Sequence, residues 1–485
     1  MSAVGEVPES VRVPLGTKLF YGLGAAPFGV LDQGLRALLL LFYSQIVGVN
    51  PAAVGTVLMV STLIDAFIDP VIGEWSDNLR SRMGRRHPFM YASMLPSSLL
   101  FGALWFPPAG WSDSGHLAYM ATVLITLRVV VSFYEIPSVA QGPEITADYD
   151  ERTSMISMRY FFLFMTGAVL TVVAYTLLLQ PTEQYPVGQL NPEGYRTYSF
   201  VAAGVMVAAI LISAAGTHSQ IARLPRFEGT RTNLRDTFKG ILLTLKNRAF
   251  LILIGAGVFS YTNQGLNFAL STYFNTYLWE FPAAVIAVFT LAVMAGVGFS
   301  LVLANLCSRR WGKRKAAIRF SVCYVFAATA PFMLRYLGWF PANDDPLLLP
   351  LLLAMTLVGV ALGVGGMILG SSMISDVVEQ AQEQSGQRTE GLFFAGSFFM
   401  QKCVSGIGLL ISGTLLAAVA FPESAVPGEV PQHVLDELVL WYCGLTVALG
   451  LIAATILSRF PISEEDHQER LERLAQAASA ARTST

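Results

Sequence analysis

Residues 52–88 read AAVGTVLMVSTLIDAFIDPVIGEWSDNLRSRMGRRHP, and two features of this stretch decide the fold. The first is the apolar run over 52–73. A bilayer core is crossed by about 20 apolar residues of helix, and backbone groups in hydrocarbon have no water to bond, so a run of this kind has to be helical. The second is the cluster of arginines beyond it. Arg80, Arg82, Arg85 and Arg86 come directly after the run, and short loops rich in Lys and Arg stay on the cytoplasmic side of a membrane. Within the run stand Asp65 and Asp69, whose i, i+4 spacing puts both carboxylates on one helical face about a turn apart.

Runs of the same kind recur near 19–47, 88–107, 117–140, 159–180, 198–216, 249–276, 282–307, 316–338, 348–370, 392–420 and 437–458. With 52–73 they predict an all-α membrane protein of twelve transmembrane helices. Composition agrees: 54% of the 485 residues are hydrophobic and 13% charged, against about a quarter charged in soluble domains. The formal net charge of -2 gives no basic excess for a nucleic-acid partner. Cys307, Cys323, Cys403 and Cys443 lie in apolar stretches without a CxxC pair and read as small buried hydrophobes. The first apolar run is too long for a signal peptide, so it is expected to remain as a helix. No HExxH or GxSxG motif occurs, and the histidines 87, 116, 218, 433 and 467 lie at or outside the predicted helix ends. An enzyme is therefore not expected, nor a cofactor other than a coupling ion.

The basic loops alternate along the chain. Arg223, Arg226, Arg231, Arg235, Lys239, Lys246 and Arg248 lie between the sixth and seventh runs, and Arg309, Arg310, Lys313, Arg314, Lys315 and Arg319 between the eighth and ninth. The opposite loops carry Asp113, Glu183, Glu280, Asp344, Asp345, Glu423 and Glu429. Both termini are thus expected in the cytoplasm. An internal repeat supports a division into halves: Arg82-Met83-Gly84-Arg85-Arg86 recurs as Arg310-Trp311-Gly312-Lys313-Arg314, just after the second run of each half. Two like halves around a central path is a transporter plan. The expected domains are a six-helix bundle over 1–216, a cytoplasmic linker over 217–248, a pseudo-symmetric six-helix bundle over 249–462, and a cytoplasmic tail over 463–485.

Ionisable groups at bilayer depth are costly and mark function. Two carboxylates as close as Asp65 and Asp69 repel, which a sodium ion or a shared proton between them would relieve; ion pairs to arginines elsewhere are the structural alternative. Glu135 stands seven residues after Arg128 and returns to nearly the same face of the fourth helix. Asp32 and Arg36 form an i, i+4 pair that either neutralises itself or lines the substrate path. Lys402 lies near the middle of the eleventh helix, where an ammonium calls for a carboxylate across the cavity. Gly84 allows a tight turn between Arg82, Arg85 and Arg86, which can bond helix-end carbonyls and acids such as Asp77 as a gating latch.

The stretches KLFYGLGAAP (18–27), IDAFIDPVIGEWSDNLRSRMGRRHP (64–88), YEIPS (134–138) and EGLFFAGSFFMQK (390–402) resemble the glycoside–pentoside–hexuronide:cation symporters of the major facilitator superfamily, the family of the melibiose carrier. The resemblance implies that Asp65 and Asp69 bind the coupling cation, Na+ or H+, that Glu135 serves both sugar and cation, and that Lys402 and Arg159 are the family's basic residues of the eleventh and fifth helices. The sequence departs from the melibiose carrier at Gly29, where that carrier has a sugar-binding aspartate, and at Val139 and Thr62. The KLFYGLGAAP stretch and Thr389-Glu390-Gly391-Leu392-Phe393-Phe394 are also similar to the sodium-dependent lysophospholipid symporters. The expectation is cation-coupled symport of a sugar or glycoside, or alternatively of an amphiphile. It would run by alternating access in one chain of the plasma (inner) membrane, acting as a monomer within the lipid bilayer.

Overall fold

The computed structural model describes residues 13–146, 148–219, 239–240, 242–385 and 390–462, and among these every regular element is a helix. The elements are α1 (Leu15–Ile46), α2 (Pro51–Asn78), α3 (His87–Ala103), α4 (Asp113–Ile145), α5 (Tyr149–Val173), α6 (Pro192–His218), α7 (Arg248–Tyr273), α8 (Ala283–Trp311), α9 (Lys313–Tyr336), α10 (Leu348–Ser385), α11 (Glu390–Ala418) and α12 (Gln432–Leu457). Eleven of them are long and apolar enough to span a membrane; α3, at 17 residues, stands at the short limit for a span. Leu99, Phe200, Leu301 and Phe326 are exposed, as side chains facing lipid are. The expected tail over 463–485 and most of the linker lie outside the described residues.

Helix starts are capped where the chain enters from a loop. The side chains of Ser112, Asp148, Asn191 and Asn247 accept amide hydrogens at the first turns of α4, α5, α6 and α7, satisfying donors that no helical partner reaches. At the other end, α1 and α7 finish alike. In α1 the amide of Val47 bonds the carbonyl of Phe42 and that of Val49 bonds Tyr43; in α7 Trp279 bonds Phe274 and Phe281 bonds Asn275. At both ends the first of these bonds closes a turn one residue wider than an α-turn and the second a turn two residues wider. The arginine-glycine loops repeat too: Gly84 and Gly312 have φ of 74° and 75°, a backbone region that suits glycine.

Close crossings are built on glycine. A Cβ on Gly29 would stand 2.3 Å from the Leu163 carbonyl oxygen, across the α1–α5 crossing. A Cβ on Gly408 would stand 2.3 Å from the Thr262 carbonyl oxygen, across α7–α11. Small residues let helix backbones approach this closely in a membrane, and the same helices of each half use them.

The described chain packs as two compact units that cut across α1 and α2: Met1–Arg36, Ile64–Pro181 and Asn191–Leu234 in one, and Ala37–Leu63, Thr182–Leu190 and Arg235–Thr485 in the other. Inside the second unit, residues 37–63 are tied to α7 and α11. Thr272 Oγ1 donates to the Ala37 carbonyl at 2.9 Å. Tyr277 OH donates to Gln45 Oε1 at 3.3 Å, and that oxygen also accepts the Ala425 amide at 3.0 Å. Gly413 faces the Pro51 carbonyl oxygen, with 2.2 Å left for a Cβ.

Candidate cation and substrate site

The first unit holds the acid pair. Asp65 is buried and Asp69 partly so on α2, where Pro70 follows directly. Proline has no amide hydrogen, so the Ala66 carbonyl receives no helical bond from it, and the helix is loosened beside the carboxylates. From α4, Arg128, Ser132 and Glu135 point along one face at i, i+4 and i+7. The Ser132 hydroxyl, fully buried, lies 3.1 Å from Asp65 Oδ1 and 2.8 Å from Asp69 Oδ1. It is also 3.1 Å from the Arg128 carbonyl oxygen of its own helix. One hydroxyl carries one proton, so it can serve only one of these three acceptors at a time.

Arg128 approaches from the other side of Asp65, with Nη1 3.7 Å from Oδ2. This is an ion pair beyond hydrogen-bond range. Its Nε is buried with no acceptor. Among the described residues no three His, Cys, Asp or Glu side chains gather as a metal cage, so the centre is the acid pair with Ser132 and Arg128, and Glu135 stands three residues further along α4.

The other sequence-derived candidates are distributed as follows. Asp32 and Arg36 pair with each other at 2.6 Å, with side chains 47% and 30% exposed. Arg159 is buried in α5 and fastens helices together: its Nη1 donates to Ser138 Oγ at 2.9 Å and to the Tyr21 carbonyl at 3.4 Å, and its guanidinium lies 4.9 Å from the Tyr21 ring centre. Lys402 is half-buried in α11, in the second unit. Gly29 explains one departure from the melibiose-carrier pattern, because the α5 backbone already fills the space a carboxylate would need.

At the basic end of the first unit, Arg86 bonds Glu144 at 2.8 Å and Ser76 Oγ at 2.6 Å and pairs with Asp77. Arg85 meets the same Glu144 oxygen at 2.8 Å, and Arg82 is exposed. The second unit has the matching arrangement, Lys313 on Asp376 at 2.6 Å. Glu144 and Ser132 were not singled out from the sequence. The signal for Ser132 was its place between Arg128 and Glu135 on one face; for Glu144 it was the equivalent place of Asp376 in the other half.

Residues 20–464 match the family profile described as "MFS/sugar transport protein". The chain belongs to this family. Within it the chain stands with the glycoside–pentoside–hexuronide:cation symporters that its motifs resemble, and its general activity is cation-coupled symport of the sugar and glycoside type, not enzyme catalysis. Curated relatives include an uncharacterized symporter of Synechocystis, 26% identical over 93% of this chain and 95% of that protein. An isoprimeverose transporter of Lactiplantibacillus pentosus is 22% identical over 92% and 88%. Among solved structures, a D-xylose-proton symporter aligns with a TM-score of 0.65 at 13% identity, covering 92% of this chain and 98% of that one. The inward open xylose transporter XylE from E. coli aligns with a TM-score of 0.62 at 15% identity, covering 94% and 98%. These structures share the major facilitator fold, which is the fold of this chain.

Proposed function

We propose that the chain symports a neutral sugar or glycoside with one monovalent cation, sodium or a proton, by alternating access. The observation that carries this is the convergence of Asp65 and Asp69 on a single Ser132 hydroxyl. Two carboxylates sharing one donor favour a bound cation or an added proton, and Ser132 contributes a neutral oxygen ligand. The cargo class is supported by the family's description and by the isoprimeverose transporter among the relatives. Within the first unit, Glu135, Arg128, Asp32 and Arg36 are the polar groups available to it; Lys402 is the candidate of the second unit. An ion drives such a cycle only if it binds the two facing states differently.

The basic loops support a reading in which both termini and the linker 217–248 lie on the cytoplasmic side of the plasma (inner) membrane, with bundles over 1–216 and 249–462 as the moving parts. Asp77, Gly84, Arg85 and Arg86, with Glu144 and the exposed Arg82 beside them, form the latch at that side. The test is uptake into proteoliposomes of isoprimeverose, xylose, melibiose and a lysophospholipid, under imposed sodium and pH gradients. Wild type should accumulate a sugar or glycoside, and Asp65→Asn and Asp69→Asn should lose gradient-driven accumulation while keeping part of the downhill exchange. Accumulation of the lysophospholipid alone would overturn the cargo class. Full accumulation by both variants would show that the acid pair is structural.

A further inference from the structure

The mode of attachment of Arg128 bears on how the ion is admitted. Asp65 has a side chain 4% exposed, and a buried carboxylate is costly to keep charged without a positive companion or donated hydrogen bonds. Arg128 supplies one, but loosely. Among the described residues its one ion pair, at 3.7 Å, is too long for a hydrogen bond. Its Nε is buried without an acceptor, although a guanidinium has five donors in a fixed fork. The side chain is 19% exposed, so a route to water is open to it. By contrast, the buried Arg159 is fixed through Ser138 and Tyr21, and Arg86 through Glu144, Asp77 and Ser76. Arg128 is thus held by charge and not by directed bonds.

We infer that Arg128 is a built-in rival of the coupling cation: it neutralises Asp65 in the ion-free protein and is displaced when the ion arrives. This rests on the reading of Asp65 and Asp69 as the cation site. Before the ion enters, the guanidinium keeps the carboxylate charged and prepared. After entry, two positive charges at one carboxylate repel, and the guanidinium turns its unpaired donors to an acceptor elsewhere, such as a cargo hydroxyl. Ion and cargo would then bind in that order. Arg128 acts as a positioning residue whose charge sets the ion's apparent affinity.

The experiment uses purified full-length protein without cargo. Sodium occupancy is read by 22Na+ binding. Proton occupancy is read in sodium-free solution by the infrared carboxyl band that Asp65→Asn removes. In Arg128→Gln, and independently in Arg128→Met, half-occupancy should need about tenfold less of whichever cation binds. Arg128→Lys keeps the charge and should stay near wild type. A purely structural role for Arg128 would weaken binding in every variant, or leave it unchanged, and either result overturns the proposal. If Asp65→Asn loses the ion while Arg128→Gln binds like wild type, the rivalry falls and the cation site stands. If Asp65→Asn binds like wild type, both fall.

Discussion

Replacing Arg86 by alanine should destabilise the first unit by about 3 kcal/mol, and the partners of Arg86 show why. Its side chain is 7% exposed and reaches three groups, Glu144, Asp77 and Ser76. Ser76 Oγ also donates to the Gly73 carbonyl at 3.0 Å, so it keeps a bond when Arg86 is gone. Asp77 has a side chain 36% exposed, so water takes over there and that pair adds little. The main loss falls on Glu144, whose side chain is 11% exposed. Stranding a buried partner costs roughly 3–5 kcal/mol. Arg85 remains on the same oxygen, which puts the effect at the lower end. Arg85→Ala leaves the better-buried arginine in position and should cost about 1 kcal/mol. Arg86→Lys should fall between, since a point charge cannot reproduce the fork. The assay is SDS-titrated unfolding in mixed micelles, followed by tryptophan fluorescence. Equal shifts for the two alanine variants, or a shift below about 1 kcal/mol for Arg86→Ala, would refute the assignment of Glu144 to Arg86.

Other consequences can be checked in the same preparations. Gly29→Asp should fold poorly or lose transport, since even a Cβ there meets the Leu163 carbonyl at 2.3 Å; a variant as heat-stable as wild type would show that α1 and α5 are not so close. The bond from Lys18 holds the Glu151 carboxyl below its ordinary value of 4.5. A depressed carboxyl stabilises the fold above its unfolded value, and that contribution disappears as pH falls through the folded value. Heat stability should therefore decline on acidification below about pH 4.5, and Glu151→Gln should flatten that decline; an identical pH profile in the variant would count against the bond. Membrane-impermeant thiol reagents in whole cells should label a cysteine introduced at Glu183 and miss one at Arg231, and the reverse pattern would invert the orientation.

The spans were legible because each is a long apolar run, and the repeat because a glycine at positive φ leaves a short arginine-glycine signature. The acid pair was legible for the same reason that it is costly: a charge within hydrocarbon stands out. Ser132 did not stand out, since hydroxyls are common in membrane helices and this one matters only through the acids that face it. The role of Gly29 was also hidden. The sequence shows a missing aspartate there, and only the packing shows that α5 has taken its space. Arg128 could be read as a polar group on the face of Glu135, but a pair lacking a hydrogen bond is a matter of ångströms.

The wide turns in α1 have a consequence for experiments that scan along it. Each extra residue offsets the side chains beyond it by roughly 100°. Gln33–Leu38 and Phe42–Ile46 are both of this kind, so one helical wheel cannot represent the element. A cysteine scan from Leu15 to Ile46 should show the protected stripe stepping sideways around the axis once, past Gln33–Leu38, and a residue counted as seven positions from another across that turn will not share its face. The described part of α7 has one such turn, at Phe274–Leu278, against two in α1, so the two helices should be compared by turn and not by count.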